Sequence, residues 1–369
     1  MVSDPGRTAR AAARPRPVDV VQYLLWESTD GTSRGTGRQG MGCGTTAVGS
    51  VYEKASADAS RRTKVRSVLI LNRLRDLDLI AATPGRAAHA SAASGLVQIG
   101  DYLHVIMDDE AHLASFRLGD PAPGRTWPIL VDALPSDAPD RKAVKPDFEV
   151  LLALSPSGQY GQAGLLALGS GSTARREWAV RLKLGADGEI VSASAPIDVA
   201  ALYRAMRHAA GEINLEAGGV TGDQMLLISR AHRLRPANHL FRFSAADLLQ
   251  WLDEPSRPVP SFSLDVLVLP KLGNVVAGIT DAVALFGGAW LVSAVAEETD
   301  DSYHDGACAG AALAVISSAG KLQSWWPLAE PIKVEGICLP RTNRDLLLVN
   351  DPDDAAIPAG LYAARLPFA

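Results

Sequence analysis

The chain has 369 residues, 47% of them hydrophobic and 21% charged, which is the make-up of a globular protein able to bury one large core or two ordinary ones. The net charge of −5 is uneven: residues 1–64 carry ten Lys/Arg against six Asp/Glu, leaving 26 basic and 35 acidic residues in 65–369. That acidic body argues against nucleic acid as the principal ligand, and the lack of any run of 18 apolar residues argues against a membrane span.

Residues 1–64 read as a flexible extension rich in Arg, Gly and Ser, with one apolar island, VDVVQYLLW. No apolar core follows the early arginines, so the segment is a poor secretory signal. The three cysteines, Cys43, Cys308 and Cys338, are too far apart for a disulfide framework or a zinc signature. Free thiols fit a reducing compartment, and a cytoplasmic location is expected.

From Val65 to the end, residues 65–369, the pattern is all-β. Short apolar runs recur between Gly, Asp, Asn and Pro turns: VRSVLIL, YLHVIMD, FEVLLAL, WAVRLKL, MLLIS, LDVLVL, WLVSAV, DLLLV and GLYAARL. Two stretches have helical spacing instead. IDVAALYRAMRHAA has Asp198 near its start, and SAADLLQWLDE opens on Ser244, a good N-cap.

One unit repeats five times. A polar or acidic residue opens an apolar strand, a tight turn follows, and a second strand ends in a polar cluster. The openers are Ser94, Glu149, Glu216, Asp281 and Glu335, spaced 54 to 67 residues apart, as in E-AGGVTGDQMLLISRAH and D-AVALFGGAWLVSAVAEE. Repeats large enough for four strands predict a β-propeller. Five blades are favoured over six, because the last unit holds three strands and VRSVLIL would supply the fourth, closing the ring between the chain's two ends.

In a propeller the inner strands line the central channel. The five openers should therefore ring its mouth. Around them come the second-strand ends: Asp108, Asp109 and Glu110; Ser170 and Ser172; Arg230 and His232; Glu297; Asn350 and Asp351. Crowded carboxylates raise one another's pKa unless a cation intervenes. Glu149, Glu216, Asp281 and Glu335, with Asn350, match the oxygen-rich preference of a divalent cation, calcium before zinc or magnesium. The alternative is structural, with Arg230, Arg175, Arg176 or backbone N–H groups holding the acids and pinning adjacent blades.

The neighbours carry the same two readings. Arg230 and His232 can bind an anion and move a proton, or pair with Glu216. GSGSTARR can be an anion nest, but a tight turn suits it better. In AEETDDSYHDGACAG, Glu297 is expected to point inward, with His304 and Asp305 folded over the mouth as candidate catalytic groups. Cys308 reads as a small buried residue, and Trp325-Trp326 as packing between blades.

The units NLEAGGVTGDQMLLISRAH and KVEGICLPRTNRDLLLVNDPDD resemble the repeats of bacterial propellers in the esterase-like phytase group. The resemblance extends from about Val65 to the end and implies a bacterial propeller with its site at the channel mouth; it carries no reaction with it. The expected function is metal-assisted hydrolysis of an ester, lactone or phosphoester in a small polar, anionic or phosphorylated molecule, with no obligate protein partner. Two other readings stand beside it: a metal-free glycosidase-like carboxylate site, and a non-enzymatic binding or scaffold propeller.

Overall fold

A computed structural model describes residues 68–81, 85–130, 134–154, 163–299, 306–340 and 345–367. All lie in the unit Val48–Ala369. The N-terminal extension, His304 and Asp305 lie outside the described residues.

Five antiparallel sheets of four or more strands follow one another along the chain and form the five blades of a propeller. Each is a meander from channel to rim. Blade 1 runs Ala93–Ile99, Tyr102–Met107, His112–Arg117 and Arg125–Pro128. Blade 2 runs Phe148–Leu154, Gly164–Gly169 and Trp178–Leu184, the last paired with both Ile190–Ala193 and Ile197–Asp198. Blade 3 runs Leu215–Thr221, Gln224–Ser229, Asn238–Ser244 and Phe262–Leu267. Blade 4 runs Gly278–Ala284, Trp290–Glu297, Cys308–Ile316 and Leu322–Pro327. Blade 5 takes Val334–Cys338, Asp345–Asn350 and Gly360–Arg365 from the end of the chain and Asn72–Asp76 from its beginning.

The ring therefore closes between the two ends of the chain, as expected, but with a different segment. The closing strand is NRLRD, not the preceding apolar VRSVLIL, of which Leu69 makes one isolated bridge to Leu328 on blade 4. An outermost strand has one open edge, and charged Arg73, Arg75 and Asp76 suit it better than an apolar run that would invite further pairing. The apolar pattern marked the neighbourhood and missed the strand.

Each blade is too thin to own a core, so the apolar faces are buried between blades. Five cores result, one at each junction round the ring. The adjacent Trp325 and Trp326 point to opposite faces of the outer strand of blade 4, one into the junction with blade 3 and the other into the junction with blade 5. The two expected helices form. Helix α2, Ala200–Ala210, follows Asp198, whose side chain accepts from the Ala200 N–H; α3, Ala245–Asp253, is capped by Ser244, which accepts from the Asp247 N–H. Both cover the outer edge of the junction between blades 2 and 3. A short helix α1, Ala138–Val144, links blades 1 and 2. Among the described residues no helix is long and apolar enough to cross a membrane.

The inner strands share one irregularity that places the site. In every blade one residue near the start of the inner strand is skipped in the pairing with the second strand: Ser94, Glu149, Glu216, Thr280 and Glu335. Such a bulge re-aims a side chain. The strands crowd closely here; a Cβ on Gly336, just past the bulge of blade 5, would lie 2.9 Å from the backbone of Gly95 in blade 1. Glycine is required by that approach.

Candidate functional site

At the bulge end of the channel lies a cavity of about 90 Å³, lined by seven carboxylates (Asp108, Asp147, Glu149, Glu216, Glu297, Glu335, Asp351) and five cations (Lys142, Lys145, Arg176, Arg230, Lys333), with Ser94, Asn214 and His232. The expected acidic funnel is present, and it is balanced from within.

Two groups of charges make it up. In the first, Arg230 follows the second strand of blade 3 and reaches Glu216 at 3.5 Å, Glu297 of blade 4 at 3.0 Å and Glu335 of blade 5 at 3.7 Å. Lys333, two residues before Glu335, reaches Glu297 at 3.1 Å, Glu335 at 3.7 Å, Asp351 at 3.3 Å and Asp353 at 2.6 Å. Glu297 does point inward as expected, and it joins the two cations. The Asn214 amide donates to Glu216.

The second group joins blades 1 and 2. Lys145 bonds Asp108 and lies 2.7 Å from Asp147. Asp147 also accepts from Arg176 at 2.7 Å and from the Ser170 hydroxyl at 2.5 Å. Oxygen atoms of Asp108, Asp147 and Glu149 all lie within 4.8 Å of one another, the separation a single metal ion could bridge. A positive φ of 56° at Asp147 turns its side chain into this cluster immediately before the inner strand begins.

Burial sets the electrostatics. It pushes Glu149 well above the usual carboxylate range, and Glu216, Asp108 and Asp147 add to the shift. Burial likewise raises Glu335 well above that range, against the pull of Arg230 and Lys333. It raises Glu216 to about 7, opposed by Arg230, and Asp351 to about 7, opposed by Lys333. Asp108 is raised by burial, opposed by Lys145. Burial disfavours the charge on Arg230, but Glu297, Glu216 and Glu335 outweigh it and hold the guanidinium protonated.

Several expected members are elsewhere. Asp281 is not at the bulge. Thr280 is, and its hydroxyl donates to the Val334 carbonyl at 2.6 Å. A one-residue slip sends the next side chain elsewhere. The Asp281 carboxylate accepts from the N–H groups of Ala282 and Ile337, both at 2.7 Å, and from Leu96, so it ties blade 4 to blades 5 and 1. It lines a separate, mainly apolar cavity of about 170 Å³ further along the channel. As a metal ligand it is corrected to an inter-blade clamp.

Asn350 is also structural: its side-chain oxygen accepts from the Gly360 N–H at 2.7 Å. Asp109 pairs with Arg86 at 2.6 Å and Arg141 at 3.4 Å, Glu110 pairs with Arg86 at 2.9 Å, and neither lines the cavity. Ser170 and Ser172 hydrogen-bond each other and brace the Asp147–Arg176 pair. GSGSTARR forms the tight turn that suited it better, closed by the Gly171 N–H on the Arg176 carbonyl and a short 3-10 helix, Ala174–Arg176. His232 lines the funnel with both ring nitrogens buried and lacking a hydrogen bond, its Nε2 3.8 Å from Glu212.

Lys145, Asp147 and Lys333 were missed. Two of them have a signal in the repeat: Asp147 and Lys333, like Asn214, stand two residues before the bulge residue, and alternation along a strand turns that position to the same face. PDFEV, NLEAG and KVEG align on it.

The solved structures similar to the chain include the following three. The glutaminyl cyclase of Myxococcus xanthus is 10% identical at a TM-score of 0.40, over 81% of this chain and 98% of that one. A GDP-Man-dependent mannosyltransferase of Leishmania mexicana is 10% identical at 0.39, over 86% and 95%. An apocarotenoid oxygenase of Synechocystis is 8% identical at 0.33, over 70% and 53%. Scores this low carry no argument about chemistry. Among curated proteins none matches the chain. A family model covers residues 89–366, from the approach to blade 1 through the third strand of blade 5, and by that match the chain belongs to the family of unknown function DUF6929.

Proposed function

We propose that the funnel binds a small anionic molecule together with a divalent cation and hydrolyses an ester, lactone or phosphoester bond in it. The observation that supports this most is the trio Asp108, Asp147 and Glu149, whose oxygens approach within 4.8 Å at the wall of the cavity. The donors are all carboxylate oxygens, which suits calcium; zinc would seek nitrogen or sulfur, and magnesium a stricter octahedron. The Lys145 ammonium lies on two of the three carboxylates and would have to swing aside. When bound, the cation would polarise the scissile group. Arg230 and Lys333 would hold the ligand's negative charge, and His232 would carry the proton. A phosphorylated ligand fits this pairing of a divalent cation with two fixed cations.

A binding propeller without catalysis is the second reading, favoured by Lys145 already standing as the cation of the trio. A panel of carboxylic esters, lactones and phosphoesters, assayed with calcium and with EDTA, separates the two. Hydrolysis that EDTA abolishes and Asp147→Asn removes supports the first. Calcium binding without turnover of any panel member supports the second.

A further inference from the structure

Glu335 is the most unusual acid in the funnel. It occupies the bulge of blade 5, lines the cavity and is 5% exposed, yet neither carboxylate oxygen accepts a hydrogen bond. Burial favours its protonated form, while the cations beside it and any hydroxyl donated to it favour the carboxylate. Arg230 and Lys333 both lie 3.7 Å from Oε1, near enough to balance it and too far to donate a hydrogen bond. Both cations have closer counter-ions: Arg230 has Glu297 at 3.0 Å, and Lys333 has Asp353 at 2.6 Å. A buried acceptor without a donor is costly to keep, and such atoms in native folds call for an explanation.

We infer that the funnel's ligand carries a vicinal diol, one hydroxyl donating to each oxygen of Glu335. A further cation would be repelled by the two already beside this residue, whereas a neutral hydroxyl supplies hydrogen without charge. Two hydroxyls on adjacent carbons present their hydrogens at the spacing of the two oxygens of one carboxylate. Asp108 offers a second point of the same kind, since its Oδ1 is also buried without a hydrogen bond while Oδ2 holds Lys145. The ligand class is thus a small polyhydroxylated molecule, with any anionic substituent directed to Arg230 and Lys333.

The inference rests on reading the funnel as a ligand site and is independent of the metal. The test therefore uses the full chain, stripped of metal with EDTA and dialysed. Erythritol and mannitol, with vicinal hydroxyls, are compared with 1,3-propanediol and 1,4-butanediol, which have isolated ones, by saturation-transfer NMR and calorimetry. Saturable binding of the vicinal polyols, at least tenfold tighter than that of the isolated diols, is expected. Glu335→Gln, checked for folding by circular dichroism, should lose at least tenfold, because an amide keeps one acceptor and turns the other into a donor. Equal binding of the two sets, no saturable binding of any vicinal polyol, or an unchanged affinity in a folded Glu335→Gln would overturn the inference. Should that variant not fold, the wild-type comparison decides alone. A failure of the metal reading would appear in calcium titrations and leave this result unchanged.

Discussion

Replacing Asp281 by alanine separates a clamp from a ligand. The wild-type carboxylate accepts from the Ile337 and Ala282 N–H groups at 2.7 Å and from Leu96, and it is buried. Alanine removes the acceptor and leaves the two donors of the other blades, Ile337 and Leu96, buried without a partner. Each orphaned donor costs about 1–3 kcal/mol, so a total of about 4 kcal/mol is expected. For a domain of this size that is a fall in melting temperature on the order of 10 °C. Asp281→Asn, which keeps one acceptor and the volume, should fall between. Thermal unfolding followed by circular dichroism reads the effect, and calcium calorimetry on the same samples should show affinity unchanged. If Asp281→Ala melts within about 2 °C of wild type, well under the shift expected for one lost buried partner, and no longer binds calcium, Asp281 is a ligand and the register assigned to blade 4 is wrong.

Three further outcomes follow from the charges and the closure. Glu297→Gln should destabilise by about 2–4 kcal/mol in urea unfolding, because Glu297 joins Arg230 and Lys333 in a buried network and both would lose a counter-ion; an unchanged midpoint would show that these pairs contribute nothing. Stability should rise as pH falls from about 8 to 6.5, since Glu216 and Asp351, each raised to about 7 when folded, take up protons there while the unfolded chain stays ionised; below that, buried His104 and partly buried His112, both held at about 4, protonate more readily unfolded and offset the gain, so stability that falls steadily from pH 8 would refute the assignment. Deleting residues through Asp76 removes the outer strand of blade 5 and should lower the melting temperature sharply, whereas a truncation that melts like wild type would mean that the closing strand contributes no stability.

The sequence shows the blades because each hairpin repeats the same alternation and turn chemistry, and it shows the funnel because a polar residue interrupts each apolar inner strand at the same point. The register was lost in blade 4 alone. There GITDAV offers Thr280 and Asp281 side by side, and only the pairing with Ser293 and Ala294 shows which of them is skipped. Two of the funnel's cations, Lys333 and Lys145, were hidden for another reason. Lys333 looks like an ordinary surface residue in PIKVEG until the strand start is fixed, after which alternation turns it inward beside Glu335. Lys145 lies in the link after α1, where no periodicity points to a face. The closing strand was misplaced because hydrophobicity is the wrong signal for an open edge.

Calcium titration of the EDTA-stripped protein tests the central claim most directly, run in parallel on wild type, Asp147→Asn and Lys145→Met. The account predicts one saturable site in wild type, its loss in Asp147→Asn, and tighter binding in Lys145→Met, where the tethered ammonium no longer competes for Asp108 and Asp147. No saturable heat in either wild type or a folded Lys145→Met would contradict it, and would leave the trio as a clamp between blades 1 and 2.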